Sequence, residues 1–437
     1  MAALPVSGLA QDVLTLDDCI GMAVENNRRL AAADWQQRGA LYDFRSAKAL
    51  FLPSFSVTGN AIYSTARGSY SSGMGQLPVF GADGAPTGQF AMFPGIDLSY
   101  DLGWVLSAGV KVEQPLYMGG KIHANCRAAG ICMEIAALKK RQTETEVVVE
   151  TSRAYAALVR AVELKKVAES YHDLLSELMR SVESAEKHGM KSQNDVLKVK
   201  VKLDESVLNL RKAENAGRLA MINLCHCIGK PLTSCVEIDG VLPEVSAADI
   251  AGAGIDERPE HLMLEQQSEL YRQKITVARS EQLPHVGLVG QYGYLDGVKL
   301  NDTKVFSSWN FTVGVQASIP IFDFGRRISK IKSAKAQYEQ VMAERADTDE
   351  MLDLDLQRAC NSLDEAMVEK TLSESSVLSA EENLRTSRLQ HERGMETLSD
   401  YLEAQVLWQN AGQRLVEARI NCWLSWLDWR KSTGQIR

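Results

Sequence analysis

The segment Gly189-Met190-Lys191-Ser192-Gln193-Asn194-Asp195-Val196-Leu197 returns as Gly394-Met395-Glu396-Thr397-Leu398-Ser399-Asp400-Tyr401-Leu402, 205 positions later. Gln114-Pro115-Leu116-Tyr117-Met118-Gly119-Gly120-Lys121 returns as Ile319-Pro320-Ile321-Phe322-Asp323-Phe324-Gly325-Arg326 at the same offset. Both halves run 74 residues from that proline to that glycine. Leu52-Pro53 and Leu283-Pro284 form a third pair, at offset 231. Pro53 to Pro115 is 62 positions and Pro284 to Pro320 is 36, so the first half carries an insertion of 26 residues. Ordered matches at constant spacing mean one large supersecondary unit used twice.

Between the paired prolines the pattern has period two. Trp309, Phe311, Val313, Val315, Ala317 and Ile319 alternate with Asn310, Thr312, Gly314, Gln316 and Ser318. Trp104, Leu106, Ala108, Val110 and Val112 alternate with Ser107, Gly109, Lys111 and Glu113, and Phe55 to Tyr63 does the same. His285 to Tyr294 alternates less cleanly, since Val289 falls on the polar side. Strict alternation predicts strands with one apolar and one polar face. The strands are expected near 53–66, 103–114, 285–295 and 308–319, each about the length of a membrane strand. Aromatics cluster at their ends: Tyr63, Tyr100, Trp104, Tyr292, Tyr294 and Trp309 at one, Phe51, Phe55, Tyr117, Phe322 and Phe324 at the other. Two such girdles mark the interfaces of a membrane barrel. Residues 68–98, rich in Gly, Ser and Pro, read as a long extracellular loop, and 296–302 as a short hairpin tip.

After Pro115 the next proline is Pro231, and after Pro320 there is none. Each stretch predicts a long helix, a break at Gly189 or Gly394, and a second helix. The hairpins span 121–229 with its tip at 189–195, and 326–434 with its tip at 394–400. A helix over 121–187 is roughly 100 Å long, which suits a coiled coil rather than a globular domain. Leu164, Val167, Tyr171, Leu174 and Leu178 supply a 3,4-spaced seam. The glycines stop the first helix. Ser192 or Asn194, and Thr397 or Ser399, are candidate caps for the next, with Asp195 and Asp400 at its positive end. The fold class is therefore α+β: two strands plus a long helical hairpin, twice, over 14–230 and 259–437. A linker covers 231–258. Residues 1–13 read as the remnant of a secretory signal that lacks its basic region. Pro53, Pro115, Pro284 and Pro320 are expected at the strand–helix junctions.

Composition narrows the function. Lys and Arg are spread along a chain of net charge −8, which argues against a nucleic-acid partner. No run approaches the roughly 18–20 apolar residues of a spanning helix. Neither a phosphate loop nor a GxSxG or HExxH motif occurs, so no enzyme is expected. Of eight cysteines, no pair has zinc-ribbon spacing. Cys225-His226-Cys227 lacks a second half, so buried free thiols are expected there, with no metal or cofactor.

Four strands cannot close a barrel, and an open edge in lipid leaves backbone groups unsatisfied. Copies of the chain must complete it by cyclic symmetry. Eight strands would be filled by side chains, whereas twelve leave an aqueous bore. The small polar face favours three copies.

At this point the residues resemble the TolC family of outer-membrane efflux proteins. The resemblance rests on Leu14-Thr15-Leu16-Asp17-Asp18, Glu25-Asn26-Asn27, Leu52-Pro53, Gln114-Pro115-Leu116, Gly189 to Leu197, Arg258-Pro259-Glu260, Leu283-Pro284, Pro320 to Arg327 and Asp400 to Gln405. It implies a homotrimer with a shared transmembrane β-barrel in the outer membrane of a Gram-negative bacterium and a periplasmic α-helical barrel. The partners it implies are outer-membrane lipid, a periplasmic adaptor (membrane fusion protein) and an inner-membrane pump, in efflux or type I secretion. It puts Gly189, Met190, Lys191, Ser192, Gly394, Met395, Thr397 and Leu398 at the adaptor-contact tips. It implies a belt around the tunnel's middle, made by residues around 231–260 and the C-terminal stretch. It also implies a periplasmic gate: Asp400 and Glu403 share a helix face, and each becomes a ring of three acids. Asn194, Asp195, His391 and Glu396 match the family's polar gate contacts. The family's pattern has Tyr and Arg where this chain has His391 and Glu396, so a His391–Asp195 contact is expected to replace part of it and to strengthen on protonation. The rival reading is a soluble coiled-coil scaffold or adaptor, which leaves the alternating strands unexplained.

Overall fold

The computed structural model describes residues 13–245, 254–301 and 303–436, apart from the side chains of Val298 and Phe306. Most of the expected N-terminal remnant, and part of the 231–258 linker, lie outside the described residues. The element order is α1 (Leu16–Asn26), α2 (Arg28–Ala49), β1 (Ser54–Ser71), β2 (Gly75–Phe80), β3 (Pro86–Phe93), β4 (Asp97–Met118), α3 (Lys121–Lys187), α4 (Gln193–Cys227), α5 (Pro259–Ser280), β5 (His285–Leu300), β6 (Thr303–Ser318), α6 (Arg326–Glu392) and α7 (Leu398–Ser432). α3 and α6 have 67 residues each, and α4 and α7 have 35 each. Each half also carries helix before its strands, α1 and α2 in the first and α5 in the second. A helix pattern follows Leu16 in the sequence and α1 occupies it, whereas α2 and α5 are not among the helices expected from the sequence.

Two compact units emerge. One holds Leu41–Gly130 and Leu270–Glu339. Its core is a four-stranded antiparallel sheet in the order β1-β4-β5-β6, and β2 and β3 pair separately as a hairpin. The strands outrun their expected bounds, and 68–98 is not a loop: β1 and β4 stay paired as far as Ser71 and Asp97, and the hairpin fills most of what remains. Glycine and proline were read as breakers, whereas backbone pairing at this end proceeds around them. The β5–β6 turn is held by Asn301, whose φ is 50°. Asn301 tolerates the left-handed region well for a non-glycine residue. Its amide donates to the Asp97 carbonyl at 2.8 Å and accepts from the Ser99 amide at 2.6 Å, tying this turn to β4.

Of the described residues, the second unit holds 13–40, 131–245, 254–269 and 340–436. One buried cluster gathers Leu14, Cys19, Tyr155, Leu158, Leu224, Ile228, Trp423 and Leu427. Leu14 bridges Ile238, and the Tyr155 hydroxyl donates to Asp239, so the residues just before α1 and those around Ile238 are pinned to the same core. Cys19 is fully buried there, and its thiol is pushed up to about 11 by burial. Cys225 and Cys227 are buried and unbonded to other cysteines. A second cluster holds Tyr171, Leu175, Leu178, Val182, Val199, Leu398, Tyr401 and Leu402. The buried seam of α3 thus runs Ala168, Tyr171, Leu175, Leu178, Val182. Its spacing is 3,4, but it passes through Leu175 where the sequence reading chose Leu174.

Candidate functional site

The sheet presents two chemically distinct faces. In register across the strands stand Phe55, Val112, Gly290 and Val313, then Val57, Val110, Tyr292 and Phe311, then Gly59, Ala108, Tyr294 and Trp309. These apolar rows are exposed, Val57 by 82%. Side chains of this kind stay uncovered only where the solvent is lipid or another subunit. The opposite rows are Ser56, Lys111, Gln291 and Thr312, and Thr58, Gly109, Gly293 and Asn310. Gly109 and Gly293 face one another so closely that a Cβ on Gly109 would sit 2.7 Å from the Tyr292 carbonyl oxygen. Val289 lies on this polar side, opposite Glu113. At one end of the apolar face Tyr63 meets Trp104 at 5.3 Å, and Trp309 stacks on Tyr292 at 5.1 Å and touches Tyr294. Tyr100 lies farther along, opposite Gly68 and Leu300. At the other end, Phe51 packs on His123, Phe322 on Phe324.

The junctions depart from the proline expectation in one place. Pro53 and Pro284 immediately precede β1 and β5, and Pro320 follows β6. Pro115 lies inside β4, opposite Gly287, where a register shift before Tyr117 accommodates its missing N–H. The turn out of β4 is made by Gly119 and Gly120, with φ of 61° and 84°. Their repeat partners are Phe324 and Gly325, also left-handed at 53° and 83°. Gly119 is irreplaceable there, because a Cβ would meet the Ser280 carbonyl oxygen at 2.7 Å. Phe324 meets no such obstacle and is 93% exposed. Asp323 accepts from Arg327 Nε at 2.6 Å, and these charges hold the Asp323 carboxyl below its ordinary range. Among the described residues no helix is long and apolar enough to cross a membrane.

The two helical tips share one construction. Gly189 (φ 74°) and Gly394 (φ 72°) end α3 and α6. The Met190 amide donates back to the Ala185 carbonyl, and Gly189 to Glu186; Met395 donates to Gln390, and Gly394 to His391. Paired bonds of this kind with a left-handed glycine satisfy the last carbonyls of a helix. Ser192 and Thr397, not Asn194 and Ser399, are the caps: their side chains accept from the Asp195 and Asp400 amides. The Asp195 carboxylate in turn accepts from the Ser192 hydroxyl, and this bond holds the carboxyl below the ordinary range. A cap lost to alanine costs about 1 kcal/mol. Ser192→Ala and Thr397→Ala are each expected to cost about that, read as local hydrogen-exchange protection of the first turns of α4 and α7. The depressed Asp195 contributes stability at neutral pH that is lost as pH falls through its lowered pKa.

Met190 and Met395 are exposed, as are Asn194, Asp400 and Glu403. Lys191 is half-buried. Leu398 does not belong to the accessible tip. It is buried at 4% against the Tyr171–Leu175 cluster, because the first apolar residue after a cap falls on the core side. No His391–Asp195 contact forms among the described residues. The His391 ring stacks on Tyr401 at 5.3 Å with Nδ1 3.2 Å from the Glu396 carbonyl oxygen, while Asp195 is engaged by its own cap. A Glu396 carboxylate oxygen is buried without a partner. Beside the buried cluster of Val199 and Leu398, a polar contact joins the tips: the Lys198 ammonium donates to Ser399 Oγ at 3.2 Å. Ser399 was expected only as a candidate cap, and Lys198, one turn beyond Asn194, was not singled out in the sequence.

The outer membrane efflux protein family matches residues 19–230 and 255–435. The outer membrane protein TolC of Vibrio cholerae is 21% identical over 348 residues, which cover 76% of this chain and 77% of that one. The proteases secretion protein PrtF of Dickeya chrysanthemi is 28% identical over 125 residues, 29% of this chain and 27% of that one. The outer membrane protein VceC of Vibrio cholerae has the same fold, with a TM-score of 0.77 at 17% identity over 96% of both chains. The chain belongs to the outer membrane efflux protein family, and it serves as an exit duct whose sheet lies in the outer membrane and whose helical hairpins extend into the periplasm.

Proposed function

We propose that three copies of this chain form the duct, each supplying four strands of a twelve-stranded barrel. The open edges of the sheet carry this reading: β1 and β6 pair on one side only. Edges left open in hydrocarbon cost several kcal/mol per unsatisfied group, and pairing β1 of one copy with β6 of the next removes them all. The apolar rows then face lipid and the Ser, Thr, Gly and Asn rows face the bore. A soluble scaffold would leave the Val57 and Val313 rows in water.

The tips around Gly189 and Gly394, with exposed Met190 and Met395, are the surface for a periplasmic adaptor that links the duct to an inner-membrane pump. The names of the relatives, TolC and a proteases secretion protein, support an efflux or secretion system of this tripartite kind. Asp400 and Glu403 lie on one exposed face of α7, and threefold symmetry turns them into two acidic rings. Fixed carboxylates at a constriction draw cations and repel anions. The family is one of channel proteins, and the proposed mechanism is passive conduction.

Light scattering in mild detergent, corrected for bound detergent, tests the assembly. The expected protein mass is three times 48.2 kDa. A monomer would sink the shared barrel. In planar bilayers the trimer is expected to prefer cations and to be blocked by multivalent cations, and Asp400→Asn with Glu403→Gln is expected to weaken both. Unchanged selectivity would remove these two residues from the gate.

A further inference from the structure

The insertion that distinguishes the first half has no equivalent in the second, and nothing in the barrel requires it. Residues 72–96 contain one ionisable side chain, Asp83. The hairpin they form exposes Met74, Leu77, Phe80, Phe90, Met92, Phe93 and Ile96, each by more than half. Its register pairs Leu77 with Ala91 and Pro78 with Phe90. One face therefore carries Leu77, Val79, Ala91 and Phe93 with Gln89, and the other Pro78, Phe80, Phe90 and Met92 with Gln76. Both faces are predominantly apolar and uncharged, and both are uncovered within the chain. An exposed apolar surface of this size marks an interaction site.

Lipid is a poor occupant. The hairpin starts nine residues beyond Tyr63 and four beyond the row of Tyr100, the outermost of the aromatic girdle, which at strand rise and barrel tilt is about 10–20 Å outside the membrane interface. A one-sided partner would cover one face and leave the other wet. A ring of identical copies covers both, because a cyclic head-to-tail contact uses two different surfaces of each copy. The hairpin is also the direct continuation of β1, one of the two edges that such a ring closes. Its near-absence of charge removes the electrostatic obstacle to packing three copies together.

We infer that the β2–β3 hairpin docks on the same hairpin of its two neighbours, making an apolar collar that narrows the outer mouth of the duct. This rests on the ring of three proposed above. The dimensions allow it: twelve strands give a backbone radius of about 12 Å, and a six-residue strand reaches about 20 Å. The collar constrains the extracellular exit, separately from the acidic residues at the periplasmic tips.

The photoreactive residue p-benzoylphenylalanine placed at Phe90 tests the contact in the full-length protein in outer-membrane lipid. Irradiation is expected to give covalent dimers and trimers on denaturing gels. Phe80→Asp in the same chain is expected to abolish those bands while the detergent-corrected mass stays trimeric. Phe80→Asp with Phe90→Asp is expected to raise single-channel conductance. Monomer bands alone from a preparation of trimeric mass would overturn the collar and leave the shared barrel standing, as would adducts formed with phospholipid. A monomeric mass would overturn the ring itself, and the collar with it.

Discussion

Val57→Arg is expected to destabilise the folded, membrane-inserted protein by about 2–4 kcal/mol per copy, the cost of arginine on a lipid face near the bilayer midplane. Val57 lies midway along the apolar rows, between Phe55 and Gly59, with Val110 opposite and 82% of its surface uncovered. An arginine there has neither a counter-charge nor water, and the rows on either side leave it a long reach to the interface. The neighbouring Thr58→Arg places the same side chain on the opposite face, in the row of Gly109, Gly293 and Asn310. That variant is expected to fold normally and to lower conductance by charge and bulk in the bore. Urea titration in lipid vesicles, read by tryptophan fluorescence, checks the first, and bilayer recording the second. Equal destabilisation by both would mean that the sheet does not separate lipid from water.

The second large effect lies in the helical unit. Leu175 is fully buried in the cluster that holds α3 against α4 and α7, whereas the adjacent Leu174 is only half-buried. Removing a buried leucine side chain leaves a cavity, and Leu175→Ala is expected to cost about 2–5 kcal/mol. Leu174→Ala is expected to cost about 1 kcal/mol or less, in line with sites outside the core. Thermal unfolding of the two variants side by side distinguishes them. The reverse order would shift the seam by one residue and rotate every side chain on this stretch of α3 by about 100°.

These two experiments bracket what could be read from the chain. The sheet faces were legible because alternation ties every second residue to one side, and a single irregularity such as Val289 does not disturb the phase. The tips were legible because Gly189 and Gly394 must adopt a left-handed conformation to end their helices. The seam of α3 was not, since Leu174 and Leu175 are chemically identical and spacing alone leaves the choice open. The β2–β3 hairpin was hidden by the glycines and prolines of 68–98, whose turn preference masks an apolar pattern on both faces. Leu398 looked accessible from its place in the loop motif, yet the cap at Thr397 turns it inward. His391 was assigned to Asp195 by analogy, and only the geometry shows it lying flat on Tyr401.

The open edges of the sheet also govern how such a protein is made. On the shared barrel proposed above, a single copy cannot enter a bilayer and wait there for partners, because the backbone groups of its open strand edges find no hydrogen-bond partner in hydrocarbon, whereas in water they do. Insertion and assembly become one event, and its yield depends steeply on how many copies are present together. Dilution during refolding should therefore strand the chain in solution as periplasm-like helical material with an unfinished sheet, and concentration should rescue it. In a cell, the same logic makes the local supply of newly exported chains, rather than the stability of any one of them, the quantity that limits how many ducts appear.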